Sequence, residues 1–152
     1  MHIFHLTTIF LFFIIGEEYV KKRLGRARAM LNARNSNSAK VWLLDTGASN
    51  HVCAHDTVAD TKINGTMSNA VETANGTVHS IGVANIGIDK LGENFDMTVL
   101  SHCPDLLSVG RLVDIGYKFH WDETGCYLFK PNDEMIELEV NDYVPVLYDE
   151  SA

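Results

Sequence analysis

From residue 41 onward, apolar and polar residues alternate with a period of two, and that period commits most of the chain to β-structure. Phe95, Met97 and Val99 alternate with Asp96 and Thr98; Tyr117, Phe119 and Trp121 with Lys118 and His120; Ile136, Leu138 and Val140 with Glu137 and Glu139. Successive side chains of a strand point to opposite faces, so each run buries one face and wets the other. A further strand pair, residues 71–74 and 77–81, flanks Asn75-Gly76, a dipeptide that accepts the left-handed backbone of a two-residue hairpin turn. Gly82 and Gly87 interrupt the second arm, as bulges or points of close approach do. Short strands with turns roughly every eight to twelve residues point to a barrel or a sandwich. One segment leaves the period: residues 106–116 follow Pro104-Asp105, place Leu106, Val109, Leu112 and Val113 on helical spacing, and end at Gly116. That pattern predicts one short helix capped near Asp105, an amphipathic plug for a barrel end.

The chemistry-bearing motif is Trp42-Leu43-Leu44-Asp45-Thr46-Gly47-Ala48-Ser49. A buried strand from Val41 to Leu44 stops abruptly at an acid, and Gly47 permits the tight turn that presents its carboxylate. An aspartic peptidase needs two carboxylates about 3 Å apart sharing one proton, each on a rigid loop. Thr46 adds a small hydroxyl suited to bonding backbone across a symmetric partner loop. The same three residues also make an ordinary turn after a strand. Length weighs on the choice: at 152 residues the chain holds one ordinary domain and carries one such triplet, whereas two lobes in one chain need about twice that length. A catalytic role therefore requires the second carboxylate to come from a second copy, Asp45 facing Asp45 across a twofold axis.

Charge divides the chain. Residues 17–40 hold seven of the twelve Lys and Arg against two acids, while residues 41–152 carry five bases against eighteen acids within the overall net of −8. We place a boundary near Lys40, after the polar stretch Leu31 to Lys40 with Asn-Ser-Asn-Ser inside it: an N-terminal extension, 1–40, and a β domain, 41–148. So acidic a domain argues against nucleic-acid binding by the domain itself, whereas Lys21, Lys22, Arg23, Arg26, Arg28 and Arg34 could touch phosphate or anionic lipid, although such a run is more often just a solvated helix face or tail. Residues 3–15 are apolar apart from His5, Thr7 and Thr8. They have the density of a signal or short anchor but fall short of the ~20 residues of a spanning helix. No Lys or Arg precedes them and no small-x-small cleavage pattern follows, so any membrane contact would run through this stretch alone, and unrelated upstream sequence accounts for it equally well.

Three cysteines, Cys53, Cys103 and Cys126, form no short-spaced pair and suit free thiols in a reducing compartment. His51, Cys53 and His55 alternate, with His102-Cys103 farther on, but no paired clip of zinc-ligand spacing accompanies them, so packing or surface roles are expected and no metal. Asn64-Gly65-Thr66 and Asn75-Gly76-Thr77 are formal glycosylation sequons that read better as turns.

The order of these motifs is distinctive. A strand ending Trp-Leu-Leu-Asp-Thr-Gly-Ala-Ser-Asn-His, a hairpin tipped by Ala-Asn-Gly, a Gly-broken strand, then Leu-Leu-Ser-Val-Gly-Arg-Leu and Gly-Tyr-Lys-Phe-His-Trp resembles the protease region of Ty1/copia-type retrotransposon Pol polyproteins, over roughly residues 41 to 130. The resemblance implies a retropepsin-like closed β-barrel with one short helix. It implies an aspartic endopeptidase working without cofactor as a homodimer, in an intracellular particle, on its own polyprotein. Asp45, supported by Thr46 and Gly47, would be the catalytic acid; Ala74, Asn75 and Gly76 would form a substrate-covering flap; Leu106, Leu107 and Ser108 would brace the active-site loop. Family members often carry Ser at the position of Thr46 and Asn at that of Asp105, and retroviral relatives usually have Gly where Ser108 stands. No zinc knuckle precedes the domain and no integrase-like His and Cys pairs follow it, as in an excised piece of such a polyprotein. The alternatives are an inactive β-barrel remnant and a membrane-anchored interaction domain.

Overall fold

The computed structural model describes residues 39–58, 61–65, 69–73 and 76–150, so the N-terminal apolar and basic segments lie outside the described residues. The chain runs β1 (Lys40–Asp45), β2 (Val52–Ala54), a 3₁₀ turn (His55–Val58), β3 (Ile63–Asn64), β4 (Ala70–Thr73), β5 (Gly76–His79), β6 (Gly82–Ile88), β7 (Glu93–Leu100) and β8 (Leu106–Ser108). The helix α1 (Val109–Asp114) follows, and then β9 (Lys118–Asp122), β10 (Gly125–Phe129), β11 (Met135–Glu137), β12 (Glu139–Asn141) and β13 (Val144–Asp149). The fold is mainly β with one short α-helix among the described residues.

Eight strands make one sheet in the order β12-β13-β1-β8-β2-β7-β6-β3, while β11-β10-β9 and β4-β5 form smaller sheets. Among the described residues the large sheet ends at β12 and β3 and is not closed into a barrel. The strands available to continue it pair elsewhere: β10 takes β9 on one side and β11 on the other. Both larger sheets nevertheless share one core. Trp42, Leu44, Met97, Val99 and Leu107 from the first pack with Tyr117, Cys126, Leu128 and Ile136, and α1 adds Val109 and Leu112.

The period-two reading holds best along β6 and β7. Ala84, Ile86 and Ile88 face inward opposite Phe95, Met97 and Val99, all at most 5% exposed. Gly87 does not break β6, and Gly82 marks a close approach: a Cβ there would lie 2.6 Å from Ile63 Cγ2 on β3. Elsewhere the alternation yields. Trp121 is 45% exposed despite its inward phase. The single strand expected at Ile136, Leu138 and Val140 is two strands in two sheets, because the Leu138 amide turns to Cys126 O at 2.9 Å and β12 then pairs with β13.

The expected helix begins later than its apolar spacing suggests. Leu106 and Leu107 are drawn into a parallel ladder against Leu43 and Leu44, and Ser108 rather than Asp105 caps α1, its Oγ accepting the Arg111 amide at 3.2 Å. At the other end Gly116, with φ of 99°, supplies the left-handed residue on which the helix stops.

Candidate active site

Asp45 is the last residue of β1, reached after three buried residues, Trp42, Leu43 and Leu44. Its own carboxylate organises the turn that follows: Asp45 Oδ1 accepts the Gly47 amide at 2.7 Å, the local side-chain-to-backbone bond that Asp makes readily. Asp45 and Gly47 are half-buried and Thr46 is exposed, so the turn presents both an acid and a hydroxyl to solvent.

The loop from Thr46 to His51 then crosses the end of β8. That strand lies between β1, to which it is parallel, and β2, which it meets antiparallel at Val52 and Leu106. Asp45 is in register with Ser108. Four bonds tie the loop down: Ser108 Oγ donates to Ala48 O at 2.6 Å, the Ser108 amide donates to His51 Nδ1 at 3.0 Å, Arg111 Nε donates to Ser49 O at 2.9 Å, and Arg111 Nη2 to Asn50 Oδ1 at 2.7 Å. Asp105 fastens the flanks. Its carbonyl accepts the Leu43 amide at 2.9 Å, and its carboxylate accepts the Ala54 amide and the Thr57 hydroxyl at 2.9 Å. The carboxylate of Asp45 is thus held by a loop fixed at both ends and in the middle, which is what a preorganised acid requires.

Sequence reasoning reached Ser108 as a brace but not His51, Asp105 or Arg111 in this part. The alternation of His51, Cys53 and His55 placed all three on one side of an expected strand, in packing or surface roles; in the structure His51 and Cys53 are buried and His55 is exposed on the 3₁₀ turn. Among the described residues no three His, Cys, Asp or Glu gather as a metal site. Cys53, Cys103 and Cys126 are free thiols. Burial, and after it the charge of Asp105, pushes Cys53 and Cys103 up to about 12, so neither is a thiolate nucleophile at neutral pH.

The hairpin β4-β5 forms a sheet of its own. Its arms pair Val71 with Val78 and Thr73 with Gly76, so the pairing closes one residue earlier than a turn centred on Asn75-Gly76 would have it. Of the three expected flap residues, Gly76 is exposed at φ 110°, while Ala74 and Asn75 lie outside the described residues. Every residue of β5 is exposed. The hairpin is clasped at its base, where Ser80 Oγ accepts the Asn69 amide at 3.0 Å and the Ser80 amide returns a bond to Asn69 O at 2.9 Å.

Compared with known proteins, the chain matches no family model and no curated protein. No helix among the described residues is long and apolar enough to cross a membrane.

Proposed function

We propose that the chain is an aspartic endopeptidase of retropepsin type, derived from a Ty1/copia-like Pol polyprotein and active as a homodimer. The observation that carries this reading is the placement of Asp45 at the end of a buried strand, on a loop laced across β8 by Ser108, His51 and Arg111. One chain supplies one such carboxylate. Two copies related by a twofold axis bring two together with the exposed Thr46 beside them. At that separation the pair shares a proton and titrates in two coupled steps. The ionised member takes a proton from a water as that water attacks the peptide carbonyl; the protonated member donates to the carbonyl oxygen, giving a tetrahedral intermediate that collapses as the nitrogen is protonated. The projecting β4-β5 hairpin is the element able to close over an extended substrate strand.

Support for the closed retropepsin barrel is narrower. What supports it is the order β1-β8-β2-β7-β6 with a helix directly after β8, which sets the Asp45 loop between strands of one sheet; among the described residues that sheet is open at β3 and β12.

The test is digestion of a peptide library by the purified chain between pH 4 and 7, with Asp45→Asn beside it and a pepstatin-type inhibitor in sedimentation runs. Cleavage by the parent, none by Asp45→Asn at unchanged folding, and inhibitor-promoted dimers are expected. A chain that stays monomeric and ignores the inhibitor at high concentration would sink the reading.

A further inference from the structure

Among the side chains that fix the Asp45 loop, one can change its charge in the pH range where peptidases of this type work. His51 is 8% exposed. Its Nδ1 accepts the Ser108 amide at 3.0 Å, which places the ring proton on Nε2 and keeps the imidazole neutral. Ser108 is the residue opposite Asp45 in the parallel ladder, and its hydroxyl holds Ala48 O. A single residue of β8 therefore grips the loop twice, near its start through a hydroxyl and at its end through His51. The backbone of His51 is fixed as well, its carbonyl accepting the Thr98 amide at 2.9 Å.

We propose that His51 is a positioning residue for the Asp45 carboxylate, and that proton uptake by its ring frees the loop from β8 and switches the site off in acid. A protonated imidazole carries N–H on both nitrogens, so Nδ1 would face the Ser108 amide donor against donor. The bond is then lost, and the ring must turn or the strand end must part from the loop. The surroundings offer the cation little. From α1 the charged group bearing on the ring is Arg111, itself a cation tied to Ser49 and Asn50 of the same loop. From β7 the ring meets the edge of Phe95, an uncharged neighbour at 5.3 Å between centroids and 70° between planes. From β8 it meets the Ser108 backbone, and on its own loop the acid is Asp45, whose Oδ1 takes the Gly47 amide. Burial first, and Arg111 second, hold His51 down to about 4. The lock is closed at neutral and mildly acidic pH and opens as pH nears that value.

The consequence for turnover rests on the aspartic-peptidase reading; the consequence for the loop does not, and the two can be read separately. The full chain is compared with His51→Asn, whose side-chain oxygen offers an acceptor near the place of Nδ1 without titrating, and with His51→Leu, which fills the site without an acceptor. In ¹⁵N spectra from pH 7 to 3.5 the parent ring shows the neutral Nε2–H form at pH 6. The Ser108 and Gly47 amides then shift together with His51 titration, and neither shift occurs in His51→Asn. With a peptide the parent cleaves, His51→Leu loses about tenfold or more in kcat at pH 6 at nearly unchanged KM, the scale of loss expected from a misplaced reacting group. His51→Asn keeps kcat at pH 6 and retains a larger share of it at pH 4 than the parent. A His51 ring already protonated at pH 6, a Ser108 amide indifferent to its titration, or a folded His51→Leu that turns over like the parent each overturns the proposal. A parent that cleaves nothing removes the peptidase reading and the turnover claim with it, and the spectra alone then decide whether the lock exists.

Discussion

Replacing Ser108 by Ala removes one oxygen from the centre of the site and tests how much the loop depends on it. Ser108 is 1% exposed. Its Oγ works in two directions, donating to Ala48 O at 2.6 Å and accepting the Arg111 amide at 3.2 Å as the cap of α1. Loss of an N-cap hydroxyl costs typically about 1 kcal/mol, and a part-buried carbonyl left without its donor about 1 kcal/mol more. The expected destabilisation is therefore about 2 kcal/mol, or a fall in Tm of roughly 8 °C for a domain of this size. Urea and thermal melts of Ser108→Ala against the parent measure it, with the exposed Ser101→Ala as a control expected within about 0.5 kcal/mol. Because Arg111 holds the adjoining residues Ser49 and Asn50, the double variant Ser108→Ala/Arg111→Ala should also depart from additivity by about 0.5 kcal/mol or more. A loss under about 0.5 kcal/mol, or strict additivity with Arg111→Ala, would refute the view that β8 and α1 clamp the loop as one unit.

The other predictions concern neighbouring parts of the same frame. Asp105→Ala strips the acceptor from the Ala54 amide and the Thr57 hydroxyl and should cost about 2–3 kcal/mol in urea melts, bonds to a charged acceptor being the stronger kind. Stability should also follow pH through His51, held at about 4 when folded against its ordinary 6.5. Above 6.5 both states are neutral; as pH falls from 6.5 to 4 the unfolded chain takes up the proton first, so stability declines by up to about 3 kcal/mol and levels off below 4. In His51→Asn that decline should vanish from the pH series. Gly82→Ala puts a methyl 2.6 Å from Ile63 Cγ2 and 3.0 and 3.1 Å from the Asn64 and Gly65 carbonyl oxygens and should cost about 1–3 kcal/mol by overpacking in urea melts, most of it persisting when Ile63→Ala is added because the backbone contacts remain.

What the chain announces locally, its residues announce well. The inward phase of Phe95, Met97 and Val99 needs only two-residue neighbours to be read, and the carboxylate of Asp45 stands out because an acid ends an apolar run. The features that escaped depend on partners far along the chain. The His51 ring meets an amide 57 residues away and Asp105 reaches Ala54 across 51, separations that no local period encodes. Leu106 and Leu107 have helical spacing toward Val109, yet the open edge of β1 offers them ladder bonds and wins. The run through Ile136 and Leu138 keeps its inward phase only that far, and Val140 is exposed, because the sheet that pairs with the run changes at Leu138. His51 was read only as a packing or surface residue, and its role as acceptor of the Ser108 amide hangs on that distant partner.

The outer neighbour of β1 is β13, with Lys40 opposite Asp149 and Leu43 opposite Val146. The strand that delivers Asp45 is thus completed by residues made about a hundred positions later. At translation rates of about 5–20 residues per second the acid waits roughly 5 to 20 seconds on the ribosome before its strand is flanked on both sides. On the proposed peptidase reading that order imposes a delay: the Asp45 strand lacks its outer neighbour until β13 has emerged, and truncation upstream of Val144 is expected to leave a chain that cannot cut.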